Sequence, residues 1–492
     1  MSKELSPLEV AKQSVDPYAG EAVFARLSRA TVEDITPEED IVMRWHGLYR
    51  QRPAEAGLFT LRVRLPNGVL TTEQATVLAG IAARMCGGRL DVTTRQSIEV
   101  HGLPLAALEG VFHELRAAGL TTLGACGDTV RGMVACPAAG LDPDETLDTR
   151  PVVESLTAAF VGNREFGNLP RKLKVAVCGC ARHCVPVEIN DVGLEAARNE
   201  EGTLGFALFV GGGLSASPTL AQPVGWIAQD QAVPVVKAIA AIFREHGNRS
   251  NRARARMKHL LGEWGIDRFR AELESRLGWA PRVIPGMALH AGSGRDHLGV
   301  LPQKDAGRRL VGVPVAAGLL TADQFLLLAK LAAEHGQGEL RTTLYQNILL
   351  PDIAEPAVDT VLAALAENGL PVSESRWAGH TIVCTGREFC NKAMAETKKP
   401  AIRLLDALEE ALPGRPARLR ISGCPNGCGQ HALGEIGLQG SGVKGEAGLE
   451  ERFDVWVREA SPDGAPSFGR RVMSRVRPEE VLAVVREQVA RF

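Results

Sequence analysis

Two stretches of this chain repeat each other at a fixed distance, and no other feature constrains the fold as strongly. Gly68-Val-Leu-Thr-Thr-Glu-Gln74 matches Gly318-Leu-Leu-Thr-Ala-Asp-Gln324. Gly88, Leu90, Gln96 and Ile98 match Gly338, Leu340, Gln346 and Ile348, and Gly119-Leu120 matches Gly369-Leu370; every pair stands 250 residues apart. Each copy reads as strand, helix, strand, helix, with Thr71 and Thr321 placed to cap the first helix. That is a βαβ-like half domain, and two copies predict a pseudo-twofold body. At 492 residues the chain exceeds one core and is expected to divide into about three domains.

The repeat runs on into cysteine loops at a slightly different offset. Gly179-Cys180-x3-Cys184, followed by Asp191 and Gly193-Leu194, parallels Gly423-Cys424-x3-Cys428, followed by Glu435 and Gly437-Leu438. Only the second copy has a further close pair upstream, Cys384-x5-Cys390. Four thiolates in two short loops are what a cubane iron–sulfur cluster needs, one sulfur per iron. Gly423, Gly427 and Gly429 let backbone approach such a cluster. Structural zinc usually takes tighter knuckles than a five-residue gap allows. The first copy offers Cys126 and Cys136 instead, ten residues apart, so its thiols are expected to be buried remnants.

Composition excludes several classes. A net charge of −2 predicts no general affinity for nucleic acid or anionic membrane. No run of about 18 apolar residues could span a bilayer, and Met1–Pro17 lacks the apolar core of a signal peptide. Ten cysteines clustered in loops suggest metal ligation in a reducing compartment, hence a cytoplasmic protein. Residues 283–302 read as a linker, 440–450 as an exposed glycine-rich loop, and Pro478–Phe492 as a terminal amphipathic helix through Val481, Leu482, Val484, Val485 and Val489. Asn248–Lys258 bears Arg249, Arg252, Arg254, Arg256 and Lys258 and reads as a basic helix with Arg252 and Arg256 on one face. Gly211-Gly-Gly213 is too short for a nucleotide fingerprint. His101 and His183 read as structural histidines.

In order and spacing, the chain resembles the siroheme-dependent sulfite and nitrite reductases along nearly its whole length. His46-Gly-Leu-Tyr49, Leu61-Arg-Val-Arg-Leu-Pro66, Thr93-Thr-Arg-Gln96, Leu169-Pro-Arg-Lys-Leu-Lys174, Asn190-Asp191, Gly211-Gly-Gly-Leu214 and the cluster loops carry the likeness. The resemblance implies an α+β fold: a pseudo-twofold tandem repeat of ferredoxin-like half domains plus two mixed α/β sheet domains. The expected division is an N-terminal arm (1–50), half-repeat 1 (51–125), an α/β domain with the anion pocket (126–290), half-repeat 2 (300–375) and a cofactor-ligating α/β domain (376–492). It implies a 4Fe–4S cluster on Cys384, Cys390, Cys424 and Cys428, with Cys428 shared with siroheme.

It further implies a substrate pocket of Arg62, Arg131, Lys172 and Lys174. Guanidinium groups suit an oxyanion, and lysines crowded by cations suit proton donation. Alternation puts Lys172 and Lys174 on one face of a strand, whereas Arg64 has no assigned partner. The carboxylates of siroheme call for cationic clamps, for which Arg95, Gln96, Arg171, Arg249, Arg252 and Arg256 are candidates. Gly211, Gly212 and Gly213 could cradle a propionate with backbone amides, and Asn426 lies in the cofactor loop. Tyr49 and Cys126 stand near the haem, and in some members such a pair is crosslinked.

Lysine at both 172 and 174 points to sulfite, since nitrite reductases usually carry Asn at the second position and sulfite is the more highly charged anion. Ferredoxin-dependent nitrite reduction is the alternative, ahead of an oxygenase like precorrin-3B synthase and a non-catalytic iron–sulfur electron-transfer protein. No flavin or nicotinamide domain is visible, so a partner must deliver electrons, ferredoxin or else a flavoprotein reductase. Arg387, Lys392, Lys398 and Lys399 could form its docking patch. A monomer is the simplest expectation.

Overall fold

The computed structural model describes residues 5–491 apart from 216, 285–286, 291–296, 446–447, 460 and 462–463. The repetition is written into the element boundaries. The first copy comprises strands Leu58–Val63 and Val69–Thr71, helix Thr72–Met85, strands Arg89–Val92 and Ile98–Pro104, and helix Leu108–Ala117. The second comprises Arg308–Val313, Leu319–Thr321, Ala322–His335, Glu339–Thr342, Ile348–Ala354 and Val358–Glu367, each element displaced by the same 250 residues. Capping boxes start both first helices: Thr71 Oγ1 accepts from Gln74 N–H at 3.2 Å and Thr321 Oγ1 from Gln324 N–H at 3.1 Å.

Pairing differs from the βαβ expectation. Leu58–Val63 and Arg89–Val92 both run antiparallel to Ile98–Pro104. The reversal is made by Thr93–Ser97, a tight turn closed from Ser97 back to Thr93 rather than a crossover helix. Short strands are also exchanged between copies. Val69–Thr71 pairs with Glu339–Thr342, and Leu319–Thr321 pairs with Arg89–Val92. Each five-stranded sheet therefore contains one strand of the other repeat. One hydrophobic core runs through both copies, with Leu78, Ile81, Phe325, Leu328 and Ala332 essentially solvent-free. At about 1.5–3 kcal/mol per large apolar side chain, neither half could keep its helix face buried alone.

Two further five-stranded sheets share one topology. Val134–Ala135, Val175–Cys178 and Val192–Arg198 are parallel, and Leu204–Val210 and Gln222–Ala228 complete the sheet antiparallel. In the second sheet Thr381–Val383, Leu419–Ser422 and Ile436–Gly445 are parallel, then Gly448–Val457 and Arg470–Val476 antiparallel. Helices Arg150–Phe160 and Lys398–Ala411 make the parallel crossovers. The cysteine loops leave the carboxyl ends of the parallel strands, where open α/β sheets characteristically place their ligands.

Gln96 and Gln346 bolt the half domains to these sheets. Gln96 Nε2 donates to the carbonyls of Asn67 and Thr342, and its Oε1 accepts from Ala135 N–H at 2.8 Å. Gln346 Nε2 donates to Val92 and Val383 carbonyls, and its Oε1 accepts from Val383 N–H at 2.7 Å. Both glutamines hold positive φ, 51° and 69°, a conformation these bonds make tolerable.

Three local expectations change. The segment 440–450 lies largely in a hairpin between Ile436–Gly445 and Gly448–Val457, with 446–447 outside the described residues. Within 283–302, Gly299–Pro302 is a strand paired with Arg308–Val313, and 285–286 and 291–296 fall outside the described residues. The basic run is not one helix: Arg252–Arg254 is a 3₁₀ turn and Arg256 caps helix Met257–Trp264. The terminal helix Val481–Val489 does bury Val481, Val484, Val485 and Val489. Among the described residues no helix is long and apolar enough to cross a membrane.

Candidate active site

Arg62 projects from Leu58–Val63 directly opposite Glu99 on the neighbouring strand, and its Nε donates to Glu99 Oε1 at 2.6 Å. Its Nη1 reaches the Ala125 carbonyl at 3.4 Å. Arg131 donates to the same carbonyl at 3.1 Å and to Gly127 O at 2.7 Å. Two guanidinium groups from separate elements thus converge on one carbonyl. Arg64, unassigned in the sequence, holds this loop from behind by donating to the carbonyls of Val130 and Arg131, each at 3.1 Å. Tyr49 and Cys126 are hydrogen-bonded beside the arginines, and the Arg62 guanidinium sits 5.8 Å over the Tyr49 ring. Burial pushes the tyrosine hydroxyl up to about 12 and raises the thiol.

The lysines are aimed by the residue between them. Leu173 is fully buried; its N–H donates to Thr129 O at 3.0 Å and its carbonyl accepts from Arg131 N–H at 2.9 Å. With Leu173 turned into the core, Lys172 and Lys174 face the other way. Burial, then Lys174 and Arg256, hold Lys172 well below the usual lysine range. Burial, then Arg95 and Arg256, bring Lys174 to about 7. Cys428 is the negative group acting on both.

Arg95, Lys174, Asn190, Leu214, Gly427 and Cys428 line one cavity. Around it burial and neighbouring cations lower Arg95 to about 9 and Arg64 to about 10, which still leaves both charged at neutral pH. Cations that repel one another at depth require an anion to complete them. The cationic lining has the charge a polycarboxylate macrocycle calls for, with Arg95 and Lys174 on the wall and Arg256 committed to Asp191.

The cluster cysteines lie across the cavity. Gly423 N–H donates to Cys384 Sγ at 3.1 Å and Lys392 N–H to Cys390 Sγ at 3.4 Å. Asn426 supports Cys424 through its backbone N–H and its side chain. Amide donors on sulfur are the setting in which iron–sulfur clusters are held. Spacing argues against a single ion. Tetrahedral zinc at about 2.3 Å from each sulfur needs thiolates about 3.8 Å apart. Among the described residues, the sets with three ligand atoms within 4.8 Å of one another include none of these four cysteines. The loop requires glycine at 429, where a Cβ would stand 1.9 Å from the Ile421 carbonyl.

Several expected cofactor contacts are otherwise engaged. Gln96 is taken up wholly by the fold, as described above. Gly211 and Gly213 donate their amides to Asp191 O and Thr219 O at 2.9 and 2.8 Å, which corrects the propionate cradle. Gly212 packs where a Cβ would meet the Glu188 carbonyl at 2.3 Å. Arg171 and Arg252 pair with Asp128, and Arg249 pairs with Glu9 at 2.5 Å. In the basic patch Lys398 is buried and pairs with Asp91 at 3.3 Å, so it is not a surface charge. Arg387 and Lys399 are paired with Glu451 and Glu388, while Lys392 is exposed. His101 is held between Thr60 Oγ1 at 2.9 Å and Asp91 at 3.2 Å, and stacks on Phe389.

Sequence reasoning missed the buried acids that orient these cations. Asp191 accepts Arg256 Nη2 at 2.8 Å and Lys174 N–H at 2.8 Å. Asp128 gathers Lys12, Arg171 and Arg252, and together they hold its carboxyl far below the usual range against the cost of burial. A carboxylate at hydrophobic-strand spacing beside a basic motif was the available signal.

A family profile described as the nitrite/sulfite reductase ferredoxin-like half domain matches residues 50–118 and 301–368. A second, described as the nitrite and sulphite reductase 4Fe-4S domain, matches 126–281. The ferredoxin–nitrite reductase of Synechococcus elongatus is 37% identical, covering 90% of this chain and 88% of that protein. The sulfite reductase [ferredoxin] 2 of Mycolicibacterium paratuberculosis is 32% identical, over 99% of this chain and 92% of its own length. The solved structure of Mycobacterium tuberculosis NirA superposes with a TM-score of 0.91 at 31% identity, covering 99% of this chain and 94% of that one. With both half domains and the 4Fe-4S domain matched, the chain belongs to the nitrite and sulfite reductase family and is an oxidoreductase whose cofactors are siroheme and a 4Fe–4S cluster.

Proposed function

We propose that the enzyme reduces sulfite to sulfide by six electrons delivered by ferredoxin. The observation carrying this reading is the pair of buried lysines flanking Leu173, with Lys174 on the cavity wall and Lys172 depressed by Lys174, Arg256 and Arg131 as well as by burial. When bound, siroheme and the cluster would supply the electrons for the reduction. Everything else falls to the protein. Arg62 and Arg131 are held by Glu99 and by the Ala125 and Gly127 carbonyls, so their charges face the anion without reorganisation. Each oxygen must leave as water and so needs protons. Lys174, at about 7, holds and releases a proton at Nζ near neutral pH, and Lys172 lies beside it. Two ammonium groups favour an anion of higher charge.

Nitrite is the second reading, because seven of the similar proteins are named as nitrite reductases and one as a sulfite reductase. Ferredoxin as donor rests on the same names. The ten cysteines stand unpaired, which suits a reducing cytoplasm. Reduced-ferredoxin turnover of the purified holoenzyme with each anion tests the reading. A kcat/KM about tenfold higher for sulfite is expected; a preference for nitrite would transfer the function to nitrite reduction on the same site.

A further inference from the structure

The cysteines of the first α/β sheet are not scattered remnants. Cys136 follows strand Val134–Ala135 and Cys178 ends the adjacent parallel strand Val175–Cys178, so register sets them side by side. The next loop returns Cys180 and Cys184 over them, with Cys180 Sγ 3.1 Å from Cys184 Sγ. All four thiols are buried, and Cys184 is shared by two close sets of ligand atoms. Cys178, Cys180 and Cys184 lie within 4.8 Å of one another, as do Cys136, Cys184 and His297. His297 Nε2 stands 3.7 Å from Cys136 Sγ, and Cys184 N–H donates to Cys180 Sγ at 3.4 Å.

We propose that Cys136, Cys178, Cys180 and Cys184 form a mononuclear tetrathiolate zinc site, with His297 hydrogen-bonded to one ligand. Three features favour one ion over the alternatives. Sulfurs this close match the roughly 3.8 Å edge of a zinc tetrahedron, and they are too close for a cubane. A disulfide unites two sulfurs, whereas Cys184 has Cys136, Cys178 and Cys180 all within 4.8 Å. An amide donates to one sulfur and an imidazole nitrogen stands within reach of another, as outer partners of metal thiolates do. The site would be structural, since four thiolates leave no open position.

Its place in the fold gives it a consequence. The loop running on from Cys184 supplies Pro186, Ile189 and Asn190 to the wall of the siroheme cavity. Cys184 O also accepts from the Tyr345 hydroxyl at 2.8 Å, tying the loop to the second half domain. Zinc here would fix one cavity wall while the cluster loops fix the opposite one.

Metal analysis of untagged holoenzyme from zinc-supplemented medium tests this. About one zinc per chain is expected beyond the iron of the cofactors, with X-ray absorption showing four sulfurs at about 2.3 Å. In C180S/C184S zinc should fall at least about tenfold while iron and the siroheme absorption persist. Should that variant not fold, the absorption spectrum of the wild type still decides. No zinc, iron in excess of the two cofactors, a mass deficit showing a Cys180–Cys184 disulfide, or a zinc shell of nitrogen and oxygen would each overturn the proposal. The last would move the ion to the neighbouring His183, Glu195 and His290, whose ligand atoms also lie within 4.8 Å of one another.

Discussion

The two α/β sheets have the same strand order and place a Gly-Cys-x3-Cys loop at the same point, yet they divide the work. In the second sheet the four cysteine sulfurs are spread and the last, Cys428, opens toward the cavity. In the first sheet the corresponding thiols are buried, with Cys180 and Cys184 in contact, and Lys172 and Lys174 lie just ahead of the strand that leads to them. On the proposed reading, one copy serves the electrons and the other the substrate. Duplication therefore supplied two equivalent loops at strand carboxyl ends, and side-chain spacing alone decided what each holds.

Removing the member that joins the two faces should have the largest effect. Cys428→Ser is expected to lower turnover by at least about a thousandfold, because it removes the thiolate on the cavity side of the cluster. The measurement is dye-linked sulfite and nitrite reduction alongside the siroheme spectrum. Retained turnover would mean that the cysteine loop of the second sheet is not the electron entry, and the division of labour would fail.

Lys174→Asn acts on the substrate side. A general acid contributes about 10²–10⁴-fold, so sulfite kcat/KM should fall by about a hundredfold or more with siroheme retained. Nitrite reduction should suffer less, since one ammonium fewer matters less to a monoanion. Equal losses for both anions would remove the lysine from substrate choice.

What was legible in the sequence follows from how local each feature is. The repeat, the caps at Thr71 and Thr321 and the cysteine spacing are visible because they depend on residues near in sequence or identical at one offset. Strand exchange was not legible, since Val69–Thr71 and Leu319–Thr321 read the same whichever sheet receives them. Nor were the partners of the basic run. Arg252 and Arg256 were assigned to one helix face, and with Arg249 to one ligand, whereas the fold sends Arg249, Arg252 and Arg256 to Glu9, Asp128 and Asp191. Long-range carboxylates decide which cations are committed to structure, and no periodicity reports them. The thiol group of the first sheet was hidden for a similar reason: Cys136 joins it only through strand register.

Asp128 makes that structural commitment measurable. Its carboxyl is held below the usual range by Lys12, Arg252 and Arg171, so its stabilisation is present above the ordinary carboxylate pKa and is lost as pH falls through the folded value. Asp128→Asn leaves three cations around a neutral group, a loss of about 3–5 kcal/mol at neutral pH. The deficit relative to wild type should shrink as pH drops below about 4. Denaturant unfolding across pH checks this; a gap independent of pH would show that Asp128 is not the titrating group.

The smallest effect tests whether the two halves are mechanically as well as topologically equivalent. Gln96 and Gln346 each make three bonds to backbone that together join the two half domains to an α/β sheet, one of the three reaching the sheet for Gln96 and two for Gln346. Truncation to Ala leaves buried donors and acceptors unpaired, at about 1–3 kcal/mol for the most exposed loss. Similar destabilisation in Gln96→Ala and Gln346→Ala is therefore expected. Turnover should separate them only weakly, since neither side chain has a polar atom left for the cavity. If Gln96→Ala instead lost siroheme while Gln346→Ala did not, the glutamine of the first copy would act on the cofactor through Ala135 and the strand it opens, and the symmetry would be one of backbone only.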